Sequence, residues 1–248
     1  MPSKRILILG GTSDARLLAV ELIAAGYETV TSLAGVTEAP VMPKGEVRVG
    51  GFGGEAGLYA FLKGGNFAAV ADATHPFAAQ ISQHGFNAAK RAELPYLRLE
   101  REPWLPAAGD HWTGVPNIAG AVAALPSGAR VLLTIGRKEI APFLARGDIS
   151  GVARMIEKSP LPIPLNWQLI LARPPFSFDD ECKLLRNHHI SHLVTKNAGG
   201  NQIEAKLLAT RALNLPVIMI ARPAKPKGQS FASASALVAA LKAGFWVG

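Results

Sequence analysis

Three kinds of side chain, placed where aliphatic runs give way to glycine-rich turns, could do chemistry in this chain. The segment Gly10-Gly11-Thr12-Ser13-Asp14-Ala15-Arg16 follows four consecutive aliphatics, Ile6 to Leu9, and opens a helical pattern. Two glycines let a ligand approach the backbone, and a helix start offers unpaired N–H groups and the positive end of its dipole, so a phosphate fits here. It is not the full dinucleotide fingerprint, because Ser13 stands where a third spaced glycine is expected. The plain alternative is an ordinary strand-to-helix turn capped by Thr12 or Ser13. A second segment, Asp72-Ala73-Thr74-His75-Pro76-Phe77-Ala78, sets a carboxylate, a hydroxyl and an imidazole at the end of another aliphatic run. Pro76 suits the first turn of a following helix, which makes Thr74 or His75 its expected cap. The third kind is cationic. Thr134-Ile135-Gly136-Arg137-Lys138, Arg173-Pro174-Pro175-Phe176, Thr195-Lys196-Asn197-Ala198-Gly199-Gly200 and Arg222-Pro223 all follow expected strands. Such turns offer N–H concavities, arginine forks and lysine point charges to phosphate or carboxylate; a basic surface turn is the alternative for each.

A residue type that is missing is also informative. Proteins that bind NAD, and many that bind S-adenosylmethionine, place Asp or Glu at the end of the second strand for the ribose hydroxyls. Here that strand runs out through Ser32, Leu33, Ala34 and Gly35. An uncharged end leaves room for a 2′-phosphate and favours NADPH, with Arg16, Lys44 and Arg48 as counter-charges. Other constellations carry less. His188, His189 and His192 lack the cysteines or spaced acids of a metal site, so no metal is expected. There is neither a GxSxG elbow nor HExxH. The single cysteine, Cys182, falls in an amphipathic pattern that suggests packing.

These residues must be held by a sizeable core, and 49% of the 248 residues are apolar. One cysteine permits no intramolecular disulfide, and no apolar run nears the roughly 20 residues of a membrane helix. The ILIL run after Lys4-Arg5 is too short for a secretory signal, so a soluble cytoplasmic protein without a membrane partner is expected. The net charge is +8, yet residues 1–100 hold 9 basic and 9 acidic side chains, so the whole excess belongs to the later part. With no basic run and no aromatic-basic interleaving, nucleic acid is not the expected partner; an acidic small ligand on the second half fits better.

Strand patterns at 5–9, 28–33, 46–49, 68–72 and 95–99 alternate with helical ones at 13–25, 55–63 and 77–92. That alternation predicts a parallel, doubly wound α/β sheet, with ligands outside the carboxyl ends of its strands where strand order reverses. Residues 101–116 carry three prolines and two glycines and read as a connector. The pattern then restarts: helices at 117–125, 178–187, 202–213 and 233–243, strands at 130–135, 152–156, 167–171, 190–195 and 216–220. Two lobes follow, 1–100 and 117–248. SPLPIPL (159–165) cannot pair as a central strand, because alternate residues lack N–H donors. The closing AGFWVG is apolar enough to return as a short strand.

The motifs GGTSDAR, DATHPFA, LLTIGRKEI, ARPPFSFDDE, LVTKNAGG and EAKLLATRALNLPVIMIARP, in this order, resemble the precorrin-6A reductases of cobalamin (vitamin B12) biosynthesis over residues 5 to about 223. Ala198 departs from the serine expected in many relatives. The resemblance implies an NADPH-dependent oxidoreductase that reduces one carbon–carbon double bond of a tetrapyrrole to give precorrin-6B, with transfer partners elsewhere in the pathway. It also implies two Rossmann-like lobes with the ligand cleft between them and allows a strand exchanged between lobes. On this reading Gly10, Gly11, Thr12, Ser13 and Arg16 bind the cofactor, with Asp72, Thr74 and His75 on the nicotinamide side. Arg137, Lys138, Arg173 and Lys196 hold the carboxylates of a tetrapyrrole substrate, and His75 and Lys196 are the candidate proton donors. Two rival readings are a non-catalytic anion- or tetrapyrrole-binding protein and a nucleotide-dependent methyltransferase of the same pathway. The acid-free second strand disfavours the latter.

Overall fold

The computed structural model describes residues 3–35, 41–200 and 204–244. The chain divides into two compact units, one made of the segment up to Glu102 and the segment from Pro223 onward, the other of Pro103–Arg222. The first unit contains β1 (Arg5–Leu9), α1 (Ser13–Ala24), β2 (Glu28–Leu33), β3 (Glu46–Val49), α2 (Glu55–Gly64), β4 (Phe67–Asp72), α3 (Ala79–Arg91) and β5 (Tyr96–Leu99). The second contains β6 (Trp112–Val115), α4 (Ile118–Ala123), β7 (Arg130–Thr134), α5 (Ala141–Leu144), β8 (Ser150–Met155), β9 (Trp167–Leu171), α6 (Phe178–Asn187), β10 (His192–Lys196), α7 (Ala205–Ala212) and β11 (Val217–Ile220). The chain then supplies β12 (Gln229–Phe231) and α8 (Ala234–Ala243) to the first unit.

Each unit holds a six-stranded sheet, ordered β12-β5-β4-β1-β2-β3 in the first and β6-β11-β10-β7-β8-β9 in the second. All neighbouring strands are parallel. A parallel sheet must be covered on both faces, and alternation along β1 shows how. Ile6 and Ile8 pack with Leu18 and Leu22 of α1 and Leu237 and Leu241 of α8. Leu7 and Leu9 face the other way, onto Leu58 and Leu62 of α2 and Ala88 and Ala89 of α3. In the second unit Leu132, Val152, Leu193 and Val217 form one core with Leu185 of α6 and Leu207 of α7.

The boundary expected at 117–248 is corrected by two features. Residues 229–231 pair with β5, and α8 lies on α1, so the chain from Pro223 belongs to the first sheet. The expected connector 101–116 contains β6, which pairs with β11. Its Trp-Thr-Gly-Val sequence is too short and too mixed for period-two reading, and only a neighbouring strand makes it one. The proline-rich 159–165 segment is loop, as expected. Residues 245–248, where the closing apolar stretch could return as a strand, and 202–203, where a helix is expected to begin, lie outside the described residues. No helix among the described residues is long and apolar enough to cross a membrane.

Candidate active site

Strand order reverses between β1 and β4 in the first unit and between β7 and β10 in the second. In open parallel sheets the loops at such a reversal diverge and leave a crevice for ligand. In the first unit the turn after β1 is built for close approach. A Cβ on Gly10 would stand 2.7 Å from Thr31 Cγ2, while Gly11 has φ +104° and nothing within 4 Å of where its side chain would be. Thr12 is the N-cap of α1: its Oγ1 accepts from Ala15 N at 3.0 Å and donates to Ala73 O at 2.7 Å. One hydroxyl thus caps the helix and ties the β1 end to the β4 end. With both its donor and an acceptor site engaged internally, Thr12 offers a ligand chiefly the backbone around it. Ser13 and Asp14 are half-buried in the first turn, and Asp14 pairs with Arg101 Nε at 3.0 Å.

At the end of β4 the Asp72 carboxylate is wholly enclosed. Oδ1 accepts from Thr74 N at 3.0 Å and from Thr74 Oγ1 at 2.6 Å, and Oδ2 accepts from the Tyr96 hydroxyl at 2.7 Å. Lys225 Nζ lies 3.8 Å from Oδ2 and donates to Thr74 Oγ1 at 3.1 Å; Ser82 Oγ is 3.2 Å from the same hydroxyl. Burial pushes the Asp72 carboxyl up, but Lys225 and the hydroxyls of Ser82, Thr74 and Tyr96 outweigh it and hold the group below the ordinary carboxylate range. Burial together with Asp72 pushes the Tyr96 phenol up. Asp72 and Thr74 therefore brace each other beneath the loop, and the exposed member of the segment is His75. Its Nδ1 accepts from Phe77 N at 3.2 Å. The expected cap role of Thr74 or His75 is corrected: α3 starts after Ala78 with no side-chain cap, and Pro76 lies in a preceding turn.

The proposed counter-charges separate in space. Arg16 NH1 reaches back to Thr12 O at 3.4 Å. Arg48, level with Ser32 across the β2–β3 pair, donates to Gly51 O at 2.8 Å and stacks 4.0 Å from the Phe52 ring. Lys44 is corrected as a candidate at this site, since it precedes β3 and so lies at the amino edge of the sheet, opposite the strand ends that form the turn.

The switch point of the second unit is cationic and ion-paired. Thr134 Oγ1 donates to Val194 O at 3.3 Å, the counterpart of the Thr12 tie. Beyond it, Arg137 pairs with Glu157 at 3.2 Å, Arg173 approaches the same carboxylate at 3.9 Å, and Lys196 pairs with Glu139. Lys138 is exposed and makes no ion pair among the described residues. Arg222 donates to the carbonyls of Asn197 at 2.8 Å and Ala198 at 3.2 Å, and Asn197 exchanges two hydrogen bonds with the Trp104 backbone. Ala198 is 3% exposed, so a serine here would place its hydroxyl inside the core. Behind these loops Arg154 NH2 lies 2.8 Å from Glu181 Oε1, both buried. Lys206 is enclosed beside the Trp104 ring. Its burial, with the Arg154 charge adding and Glu181 opposing, brings its ammonium down to about 7. Glu139, Glu157, Tyr96, Ser82 and Lys225 escaped the reading of the sequence, because an acid or hydroxyl that serves a distant partner carries no local pattern. Glu139 lies inside the LLTIGRKEI motif, two residues beyond Arg137, yet nothing local marks Lys196 as its partner.

The profile of the family described as Precorrin-6x reductase CbiJ/CobK matches residues 5–242. The chain belongs to this family. A precorrin-6A reductase of Rhodococcus erythropolis is 46% identical over 224 residues, 90% of each chain. One of Rhodobacter capsulatus is 46% identical over 225 residues, 90% of this chain and 89% of that one. The solved structure of CobK precorrin-6A reductase is similar with a TM-score of 0.91 and 43% identity, covering 97% of this chain and 96% of the other. Membership of the precorrin-6x reductases makes the chain an oxidoreductase of cobalamin biosynthesis that acts on a carbon–carbon double bond. The two Rossmann-like sheets are those of its relative.

Proposed function

We propose that the chain reduces precorrin-6A to precorrin-6B with NADPH as reductant. The observation that carries the choice of cofactor is the pairing of an open glycine turn, Gly10-Gly11, with a second strand whose end bears no acid. The residues present fit such a group: backbone N–H donors at the start of α1 for the diphosphate, and no carboxylate at Ser32 to Gly35 to repel a 2′-phosphate. Arg16 and Arg48 supply positive charge on that side. When bound, the reduced nicotinamide supplies a hydride; everything else falls to the protein's own groups.

Arg137, Lys138, Arg173 and Lys196 bind the carboxylates of the tetrapyrrole, the two arginines as planar forks and the lysines as point charges. The pairing of Arg137 and Arg173 with Glu157 and of Lys196 with Glu139 keeps these three extended and ready, and substrate carboxylates take over part of that pairing. His75, exposed at the end of the Asp72 loop, and Lys196 are the groups able to deliver the accompanying proton. Asp72 and Thr74 fix the loop that carries His75. A single buried cysteine and a soluble dinucleotide suit the cytoplasm. Anaerobic incubation with precorrin-6A and either NADPH or NADH tests the reading. Substrate-dependent oxidation of NADPH, faster than of NADH, is expected; none with either nucleotide overturns it.

A further inference from the structure

An anion site next to a buried carboxylate is an electrostatic contradiction. Asp72 pairs in register with Leu9, the residue before Gly10, and Ala73 is bound through its N–H to Leu9 O at 3.0 Å and through its carbonyl to Thr12. Asp72 therefore stands one register position from the turn assigned to the diphosphate, and its carboxylate is shielded from water. There a unit negative charge repels a phosphate far more than it would in solvent. Three hydroxyl and amide donors stabilise Asp72 without removing its net charge. The group that does so is Lys225, 6% exposed at its side chain, whose Nζ sits 3.8 Å from Oδ2. It is held in place by its hydrogen bond to Thr74 and by its neighbour Pro226, whose carbonyl accepts from Arg98 at 3.1 Å.

We propose that Lys225 is the positioning residue of the cofactor turn: it neutralises Asp72 and orients Thr74, so that the Gly10–Thr12 turn presents a field a dinucleotide diphosphate can enter. The inference rests on the cofactor reading given above and assigns a residue to it. It also gives the return of the chain to the first unit a chemical consequence. Lys225 lies three residues past Arg222, whose guanidinium holds the Asn197–Ala198 loop of the second unit. A purely structural lysine would matter for stability alone. A charge-balancing one must show itself in anion affinity and must be dispensable once Asp72 is neutral.

The test is a double-mutant cycle read by calorimetry with the full-length protein, using NADPH and, separately, inorganic pyrophosphate as probes. Lys225→Met is expected to weaken NADPH binding roughly tenfold or more, Lys225→Arg to stay within about threefold of wild type, and Asp72→Asn/Lys225→Met to recover to within about threefold. Equal weakening in Lys225→Met and in the double variant, or wild-type affinity in Lys225→Met, overturns the proposal. Should Lys225→Met not fold, Lys225→Gln takes its place in the cycle, with the same expected and the same overturning outcomes. A wild-type protein that binds pyrophosphate but not NADPH, with the cycle acting on pyrophosphate, refutes the cofactor reading and leaves the charge balance standing. Binding of neither probe overturns both.

Discussion

The two sheets share the order of five adjacent strands, β5-β4-β1-β2-β3 and β11-β10-β7-β8-β9, and differ in what they place at its reversal. In each, a threonine at or just beyond the end of the central strand ties across to the neighbouring strand: Thr12 to Ala73 O at 2.7 Å, Thr134 to Val194 O at 3.3 Å. After Thr12 a 12-residue helix begins at once, capped and pointing its N–H groups at the turn. After Thr134 the chain runs six residues before a four-residue helix with no side-chain cap. The first turn therefore offers backbone donors beside an ion-paired carboxylate, and the second offers long cationic side chains in pairs with Glu139 and Glu157. Topology decides where a ligand goes; the loop content decides which ligand. Diphosphate suits fixed N–H groups, and scattered carboxylates suit long basic side chains.

The sharpest way to break this contrast is Gly10→Val. Its Cβ would collide with Thr31 Cγ2, which belongs to a fully buried residue, at 2.7 Å. We expect a loss of NADPH affinity on the order of a hundredfold with about 1–3 kcal/mol of destabilisation, measured by titration and urea unfolding. Next in size, Lys196→Met should raise the KM for precorrin-6A about tenfold and leave the NADPH Kd within about twofold, because the ion pair it removes belongs to the second site. Comparable losses for both ligands would erase the division of labour.

Thr12→Val and Thr134→Val compare the two ties directly. The former removes a cap and a buried hydrogen bond and should cost about 1–2 kcal/mol. The latter removes only a long bond at a half-buried hydroxyl and should cost under about 1 kcal/mol. Equal midpoints in urea would contradict the difference in geometry. A further difference is expected in pH dependence. Lys206 ionises near 7 in the folded protein and near the ordinary lysine value when unfolded. Between those values the unfolded chain binds the extra proton, so stability should rise with pH above about 7 and level off near 10. Lys206→Met should flatten that rise, as followed by thermal unfolding between pH 7 and 9; an unchanged slope would show that another group sets it.

Much of this was readable from residues alone, and the reason is locality. The β1–α1 turn is announced by Ile6 to Leu9, two glycines and a capping threonine within a dozen residues, and each signal acts on its immediate neighbours. The same holds for the position of the Asp72–Ala78 and cationic loops at strand ends, but not for their partners or for the start of α3, which neither Thr74 nor His75 caps. What could not be read depends on partners far along the chain. Trp112–Val115 becomes a strand only because β11 lies beside it, and Gln229–Phe231 only because β5 does.

The sequence by itself determined the alternating strands and helices, the open glycine turn after β1, the missing acid at the end of β2 and the basic second half, since hydrophobic period, backbone freedom and charge are written residue by residue. The tertiary structure alone decided that the chain from Pro223 rejoins the first sheet, that Asp72 is enclosed and balanced by Lys225, and that Glu139 and Glu157 hold the cations of the second site. Those are contacts between groups tens to more than a hundred positions apart or on separate strand-end loops, and no local pattern encodes which buried charge will meet which counter-charge once the sheets have formed.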